Sequence, residues 1–272
     1  MINAEKLKDY DPKRFDKGFA SVKRNGIHGI YDPAHGFIYS RTPAKIHGLE
    51  HITAELKNLD TVLEYPVVGE IIIPGIDFET ASGRIRSYNP TPEALFHIFN
   101  VITSEPFWKR WSNFHEQFSP LLCESPSIYI EPHHFMKSHK EYDTFHDELI
   151  AAGVEGTCLI HPDHVYQPGK RTWNWMKRVP YASLEAIILD VCPGTKGKKY
   201  ENSLGHFVCE TLTPIKKIFN VGIFKGQTDA WRQDVFDNRE SYLGEMVVVE
   251  FKNLSKYGVP VQPRFKAFRW DL

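Results

Sequence analysis

The chain has 272 residues, 42% hydrophobic and 13% aromatic, enough to bury one large core or two smaller ones. Its 33 Lys and Arg against 34 Asp and Glu leave a formal charge of −1, which excludes a global basic field, so any nucleic-acid contact must rest on a local patch. Four scattered cysteines form no CxxC pair, no apolar run is long enough to cross a bilayer, and the charged start "MINAEKLKDYDPKRF" lacks the apolar centre of a signal peptide; a cytoplasmic protein with no membrane contact and no thiolate-bound metal is expected.

In chain order, short apolar runs rich in Val, Ile, Phe and Tyr alternate with turns: "FASVK", "HGIYD", "GFIYSRT", "EYPVVGEIII", "LFHIFNVI", "SIYIEP", "GTCLIHP", "EAIILDV", "HFVCETL", "FNVGIF" and "GEMVVVEF". Their length and composition predict strands. "GLEHITAELKNL", "EPFWKRWSNFHEQF" and "KEYDTFHDELIAAG" predict helices, the last ending on Gly153. This pattern predicts an α+β chain with much antiparallel sheet. From Glu185 onward helical signals nearly vanish and short strands with Gly-containing turns suit a small barrel, with Pro180 to Leu184 as a hinge.

Charged residues at strand edges stand out from this frame. In "FASVKRNGIHGIYD", Lys23 follows an apolar strand and precedes Asn25-Gly26, a dipeptide that predicts a tight hairpin. Such a lysine is either a solvated residue beside a turn or a nucleophile in a pocket. Further on come Arg41 in "YSRT", Glu70 in "VVGEIIIPG", Phe99 in "LFHIFNV", Glu155 in "EGTCLIHP", and Lys177 and Arg178 in "WNWMKRVP". Desolvating such charges is costly unless each has a partner or a ligand. Taken singly, each residue also has a plain structural reading.

Taken in order, the series resembles the covalent nucleotidyltransferases, and most closely the small phage-type ATP-dependent DNA ligases. "SVKRNGIHG" is similar to their motif I, "VVGEIIIPGIDFETASGRIRS" to motif III with its trailing strand, "LFHIFNV" to motif IIIa, "EGTCLIHP" to motif IV and "KRTWNWMKRVP" to motif V. "GKKYENSLGHF", "YLGEMVVVEF" and "GVPVQPRFKAFRWDL" resemble the OB-fold that closes the catalytic core of this family. The resemblance implies an antiparallel-sheet adenylylation domain over residues 1–184 and an all-β OB-fold barrel over 185–272. It also implies a monomer of the phage or bacterial cytosol that uses ATP with Mg²⁺ or Mn²⁺ to seal nicks in duplex DNA. With only a short leader before Lys23, ATP rather than NAD is the expected donor.

By the same resemblance, Lys23 is the nucleophile that takes AMP, with Ser21 and Val22 beside it in the nucleotide site. Arg41, Lys177 and Arg178 are expected on the phosphates, Glu70 on the ribose, Phe99 on the adenine, and Glu155, Asn25 and Glu70 near the metal. Arg269 is expected on the departing pyrophosphate, oriented by Asp271. Burial and neighbouring cations are expected to lower the Lys23 pKa, because a lysine nucleophile must be neutral. The family usually has Asp where this chain has Asn25, Arg where it has His28, and a second lysine where it has Val179. His28 is therefore expected on the nick phosphate, with a pH-dependent contact. Lys196, Lys198 and Lys199 lie in a Gly-containing turn suited to a DNA backbone. The histidines of "EPHHFMKSHKEYDTFH" match no zinc spacing. An RNA ligase, an mRNA-capping guanylyltransferase and a catalytically inactive nick-binding module remain alternatives.

Overall fold

The computed structural model describes residues 1–59, 63–223 and 226–269. The chain divides into two compact units, Met1–Val179 and Pro180–Leu272. The division falls before the expected boundary at Leu184, because Ala182–Leu184 is already paired in the first strand of the second unit.

The first unit runs β1 (Lys6–Asp9), β2 (Gly18–Val22), β3 (Ile27–Asp32), β4 (Phe37–Ser40), α1 (Glu50–Lys57), β5 (Val67–Ile72), α2 (Phe78–Ile85), β6 (Leu95–Val101), α3 (Phe107–Leu122), β7 (Ile128–Ile130), β8 (His134–Met136), α4 (His139–Ala151), β9 (Thr157–Ile160) and β10 (Arg171–Arg178). Its strands form two five-stranded sheets, ordered β1-β10-β9-β2-β8 and β4-β3-β5-β6-β7. Alternation along β2, β9 and β10 gives the first sheet two buried faces. Phe19, Ile160 and Trp175 join the main core, whereas Ala20, Leu159 and Met176 pack with Tyr142 of α4. On α3, Phe107, Trp111, Phe114 and Phe118 recur at helical spacing and stack in sequence with ring centroids 4.9 to 5.9 Å apart. Each such fully buried side chain is worth roughly 1.5–3 kcal/mol, so this row fixes α3 on the core.

Two expectations fail in this unit for identifiable reasons. "FETASGRI" is the helix α2 and not a trailing strand, because Asp77 caps it by accepting the Thr80 N–H (2.9 Å) while Ala81 and Ile85 bury one face. Asn25-Gly26 does not close a hairpin: β2 and β3 belong to different sheets, so residues 23–26 carry the chain across from one sheet to the other.

The second unit runs β11 (Ala182–Pro193), β12 (Leu204–Thr211), β13 (Ile218–Gly222), α5 (Asp229–Asp237), β14 (Met246–Phe251) and β15 (Arg264–Phe268). Its strands close into a barrel in the order β11-β12-β13-β15-β14. Alternate residues such as Ala186, Ile188, Phe207, Val247, Val249 and Phe265 fill the interior. The helix α5 was hidden by its polar composition; Thr228 caps it by accepting the Trp231 N–H (3.1 Å), and Val235 is buried in the barrel core. Among the described residues, no helix is long and apolar enough to cross a membrane.

Gly26 packs where a side chain does not fit. A Cβ there would lie 2.3 Å from the Ile71 carbonyl oxygen of β5. Gly26→Ala should therefore cost at least ~2 kcal/mol in urea denaturation, on the scale of other backbone-level clashes. An unchanged urea midpoint would mean the crossover relaxes freely.

Candidate active site

Sheet pairing brings the predicted residues together. β2 ends at Val22, and the Lys23 N–H donates to the Gly156 carbonyl (2.9 Å), which seats the lysine beside the start of β9. Within the first unit, Ser21, Val22, Lys23, Arg41, Glu70 and Phe99 line one cavity of about 80 Å³. His28 and Arg41 also line a neighbouring cavity of about 630 Å³, together with Glu70. The Lys23 ammonium lies 2.9 Å from Glu155 Oε2, and the Gly26 N–H donates to Glu70 Oε1 (3.1 Å).

The charges of this cluster control one another. Burial favours a neutral Lys23, but the Glu155 carboxylate, with Glu70 adding to it when ionised, outweighs burial and raises the pKa above the ordinary lysine value. The expected depression is absent because the nearest formal charge is an anion at 2.9 Å rather than a cation. Glu70 is raised to about 7, chiefly by burial and against the pull of Lys23, Arg41 and the Gly26 N–H. The Cys158 thiol in the cavity wall is pushed up to about 12 by burial, so it stays protonated and does not compete with Lys23 as a nucleophile.

Other expected residues lie apart from the cavity. Lys177 faces Cys158 across the β9–β10 ladder but is half-exposed, 3.6 Å from Asp9. Arg178, the next residue, projects from the other face of the strand, where it meets Asp143 of α4 (2.5 Å) and lies over the rings of Tyr10 and Tyr142. Asn25 is exposed on the crossover. His28 is not on an exposed surface: it is buried in β3 opposite Glu70, with both ring nitrogens unpartnered, and burial together with the Arg41 charge lowers its pKa to about 3. An imidazole so disposed is neutral at physiological pH, which removes the expected pH-dependent contact.

In the second unit, Lys199 is held by Asp229 (2.7 Å), while Lys196 and Lys198 are exposed on the same turn. Arg269 pairs with Glu185 (2.7 Å), and Asp271 lies outside the described residues. Among the described residues no group of three or more His, Cys, Asp or Glu is placed to hold a metal.

The sequence reading missed a clamp next to the nucleophile. Arg24 donates from Nε and a terminal nitrogen to the two oxygens of Glu131 (3.0 and 3.2 Å), and His97 Nδ1 lies 3.3 Å from the same carboxylate. Glu131 is buried; burial opposes its ionisation, but His97 and Arg24 hold its pKa below the usual carboxylate range. Its signal was present in "SIYIEP", a glutamate closing a short apolar run.

A lysine beside two carboxylates where the chain crosses between two mostly antiparallel sheets, in a chain that continues into a small barrel, defines a nucleotidyltransferase architecture. A family model described as "ATP dependent DNA ligase domain" matches residues 13–178, and one described as "DNA ligase OB-like domain" matches 196–269. The chain belongs to the ATP-dependent DNA ligase family. It is 27% identical over 266 residues to a DNA ligase of African swine fever virus (isolate Warthog/Namibia/Wart80/1980), covering 91% of this chain and 62% of that one. It is 23% identical over 236 residues to the DNA ligase of Escherichia phage T7, covering 68% and 66%. The chain thus spans about three fifths of the viral relative's length, 62%. Its fold is shared with a structure described as "DNA binding with a minimal scaffold: Structure-function analysis of Lig E DNA ligases", at TM-score 0.78 and 19% identity, covering 99% of this chain and 100% of that one.

Two pH experiments probe this electrostatic arrangement. An attacking Lys23 amine must be neutral, so, if Lys23 takes the nucleotide, its labelling by α-labelled ATP should rise with pH through its pKa; Glu155→Gln removes the anion that raises this pKa and should move the midpoint of labelling at sub-saturating ATP, which reports the free protein, to lower pH, whatever it does to the maximal rate. A midpoint that stays put or rises would show that Glu155 does not set the protonation of Lys23. For His28, already neutral, the sealing rate on a preadenylylated nick should have the same pH profile in wild type and His28→Gln between about pH 5.5 and 8. A midpoint near pH 6.5 that vanishes in the variant would contradict the buried, neutral imidazole.

Proposed function

We propose that this protein is an ATP-dependent DNA ligase that seals nicks in duplex DNA through a lysyl-AMP intermediate. The observation that carries the reading is the convergence of Lys23, Glu155, Glu70, Arg41 and Phe99 on one side of the first unit, in a chain of the ATP-dependent DNA ligase family. Lys23 Nζ attacks the α-phosphorus of ATP, the bond to pyrophosphate breaks, and AMP stays on the amine as a phosphoramidate. AMP then passes to the 5′-phosphate of the nick, and the 3′-hydroxyl displaces it as the phosphodiester forms.

While Glu155 is paired with it, Lys23 stays protonated. A ligand that draws Glu155 away leaves burial as the main influence on the amine, and burial favours the neutral, nucleophilic form. Arg41 and Lys177 are assigned to the phosphates, Glu70 to the ribose and Phe99 to the adenine face. Glu155, with Glu70 nearby, suits Mg²⁺ carried in on substrate phosphates, since that ion is held by one or two carboxylates plus phosphate oxygens rather than by an all-protein cage. Such an ion would neutralise charge on the phosphates. In the second unit, read as an OB-fold barrel, Lys196 and Lys198 are assigned to the DNA backbone and Arg269 to the pyrophosphate.

Incubation with α-labelled ATP or GTP and Mg²⁺, followed by denaturing electrophoresis, tests the reading. Label from ATP alone is expected, and Lys23→Ala should abolish it while leaving the fold intact. Lys23→Arg should not restore it, because a guanidinium stays protonated. Labelling from GTP would instead favour a capping enzyme, and no labelling would favour an inactive nick-binding module.

A further inference from the structure

The outer edge of the first sheet carries a feature that the nucleotide cavity does not use. β1 is the edge strand and pairs in parallel with β10, placing Lys6 opposite Arg171, and the Lys6 N–H donates to the Lys170 carbonyl (2.9 Å). Trp173 is 37% exposed; Lys8 Nζ lies 3.9 Å from its ring centroid and the Arg14 guanidinium 5.4 Å from it, both within the ~6 Å reach of a cation–π contact. Among the described residues, none of Lys6, Lys8, Arg14, Lys170 and Arg171 is in an ion pair. Of the acids in the same segment, Glu5 is buried against His164 (3.1 Å), Asp9 faces Lys177 across the ladder (3.6 Å), Asp11 accepts from the Lys13 N–H (3.0 Å), and Asp16 is exposed.

Five such cations gather on one edge although the charges of the chain balance to −1. Mutual repulsion works against such a cluster, and so does the ordering of Lys8 and Arg14 on one indole; a polyanion laid along the edge offsets both. The edge also leads to the reaction centre, because Leu7, between Lys6 and Lys8, lines the cavity with Lys23. We propose that the β1–β10 edge is a track for the phosphodiester backbone of the duplex flanking the nick, with Trp173 holding Lys8 and Arg14 in place for phosphates and with Lys6, Lys170 and Arg171 extending the track. The inference rests on the nick-sealing reading for the identity of the substrate. Since Trp173 already has cations against its ring, it aligns charge rather than stacking on a base, so binding along this edge is indifferent to sequence and sensitive to salt.

The test is fluorescence anisotropy of the full chain on a nicked duplex across a salt series, with self-labelling by α-labelled ATP measured in parallel. The Lys8→Gln/Arg14→Gln double variant should bind about tenfold more weakly near 0.1 M salt, and the slope of log Kd against log salt should fall by about 2, as expected for two lost phosphate contacts. Trp173→Leu, which keeps both cations but not their alignment, should weaken binding less and leave the slope nearly unchanged. Self-labelling should stay within about twofold of wild type in both, because neither touches the cavity. Unchanged affinity and slope in the double variant would overturn the proposal, as would equal losses of binding and labelling in both variants. Wild-type protein that binds the nick but takes no label would instead overturn the nick-sealing reading and leave this one standing.

Discussion

Four residues, 23–26, carry the chain from one sheet of the first unit to the other, and the arrangement of the candidate site depends on how that crossover is anchored. The Lys23 N–H is tied to the Gly156 carbonyl, Arg24 to Glu131, and the Gly26 N–H to Glu70. Gly26 lies so close to Ile71 that a Cβ would meet its carbonyl oxygen at 2.3 Å. The three anchors are far from the crossover and from one another in sequence, so Lys23 is placed by tertiary contacts rather than by a local turn. Glu70 holds the crossover and also forms part of the cavity wall. Supporting and reacting groups are therefore shared, and a change at Glu70 alters both.

The same economy governs the charges. Lys23 and Glu155 satisfy each other, and Glu70 stands near its half-ionised point because burial penalises its ionised form. A triphosphate entering this cluster must displace an existing pair rather than fill an uncompensated positive hole. That requirement disfavours anions that cannot also engage Glu155 through a counter-ion. The pairing also keeps Lys23 protonated while it stands, although the proposed attack requires the neutral form.

Much of this was legible in the sequence. Short Val-, Ile- and Phe-rich runs mark β2 to β7 and most of the barrel because each strand buries a face or both faces, and the ordered charges at strand edges located the cavity. What stayed hidden needs tertiary information. α2 and α5 are short, eight and nine residues, and the caps at Asp77 and Thr228 are clear local signs of them. Asn25-Gly26 reads as a hairpin only if the flanking strands pair, and pairing with β9 on one side and β5 on the other prevents it. Arg178 joined the expected phosphate contacts by proximity in sequence, although strand alternation sends it to α4. Glu131 was passed over because its partner Arg24 is 107 positions away.

His28 shows how a single departure from the family pattern reshapes the charge distribution. An arginine at this position of β3 would add a permanent cation directly opposite Glu70 and close to Arg41. It would draw Glu70 toward full ionisation and compete with Arg41 for the same phosphate. The buried, neutral imidazole does neither; it leaves Glu70 near its half-ionised point and leaves Arg41 as the permanent cation lining the cavity beside Lys23 and Arg24, of which Arg24 is already committed to Glu131. In this chain, charge for gripping phosphate is accordingly sparse inside the cavity. Among the described residues, the cations that the salt bridges leave unpaired include those on the β1–β10 edge and those on the turn bearing Lys196 and Lys198. That distribution separates two tasks that an interior arginine would merge: chemistry in a nearly balanced cavity, and attraction of a polyanion by exposed cations screened by salt.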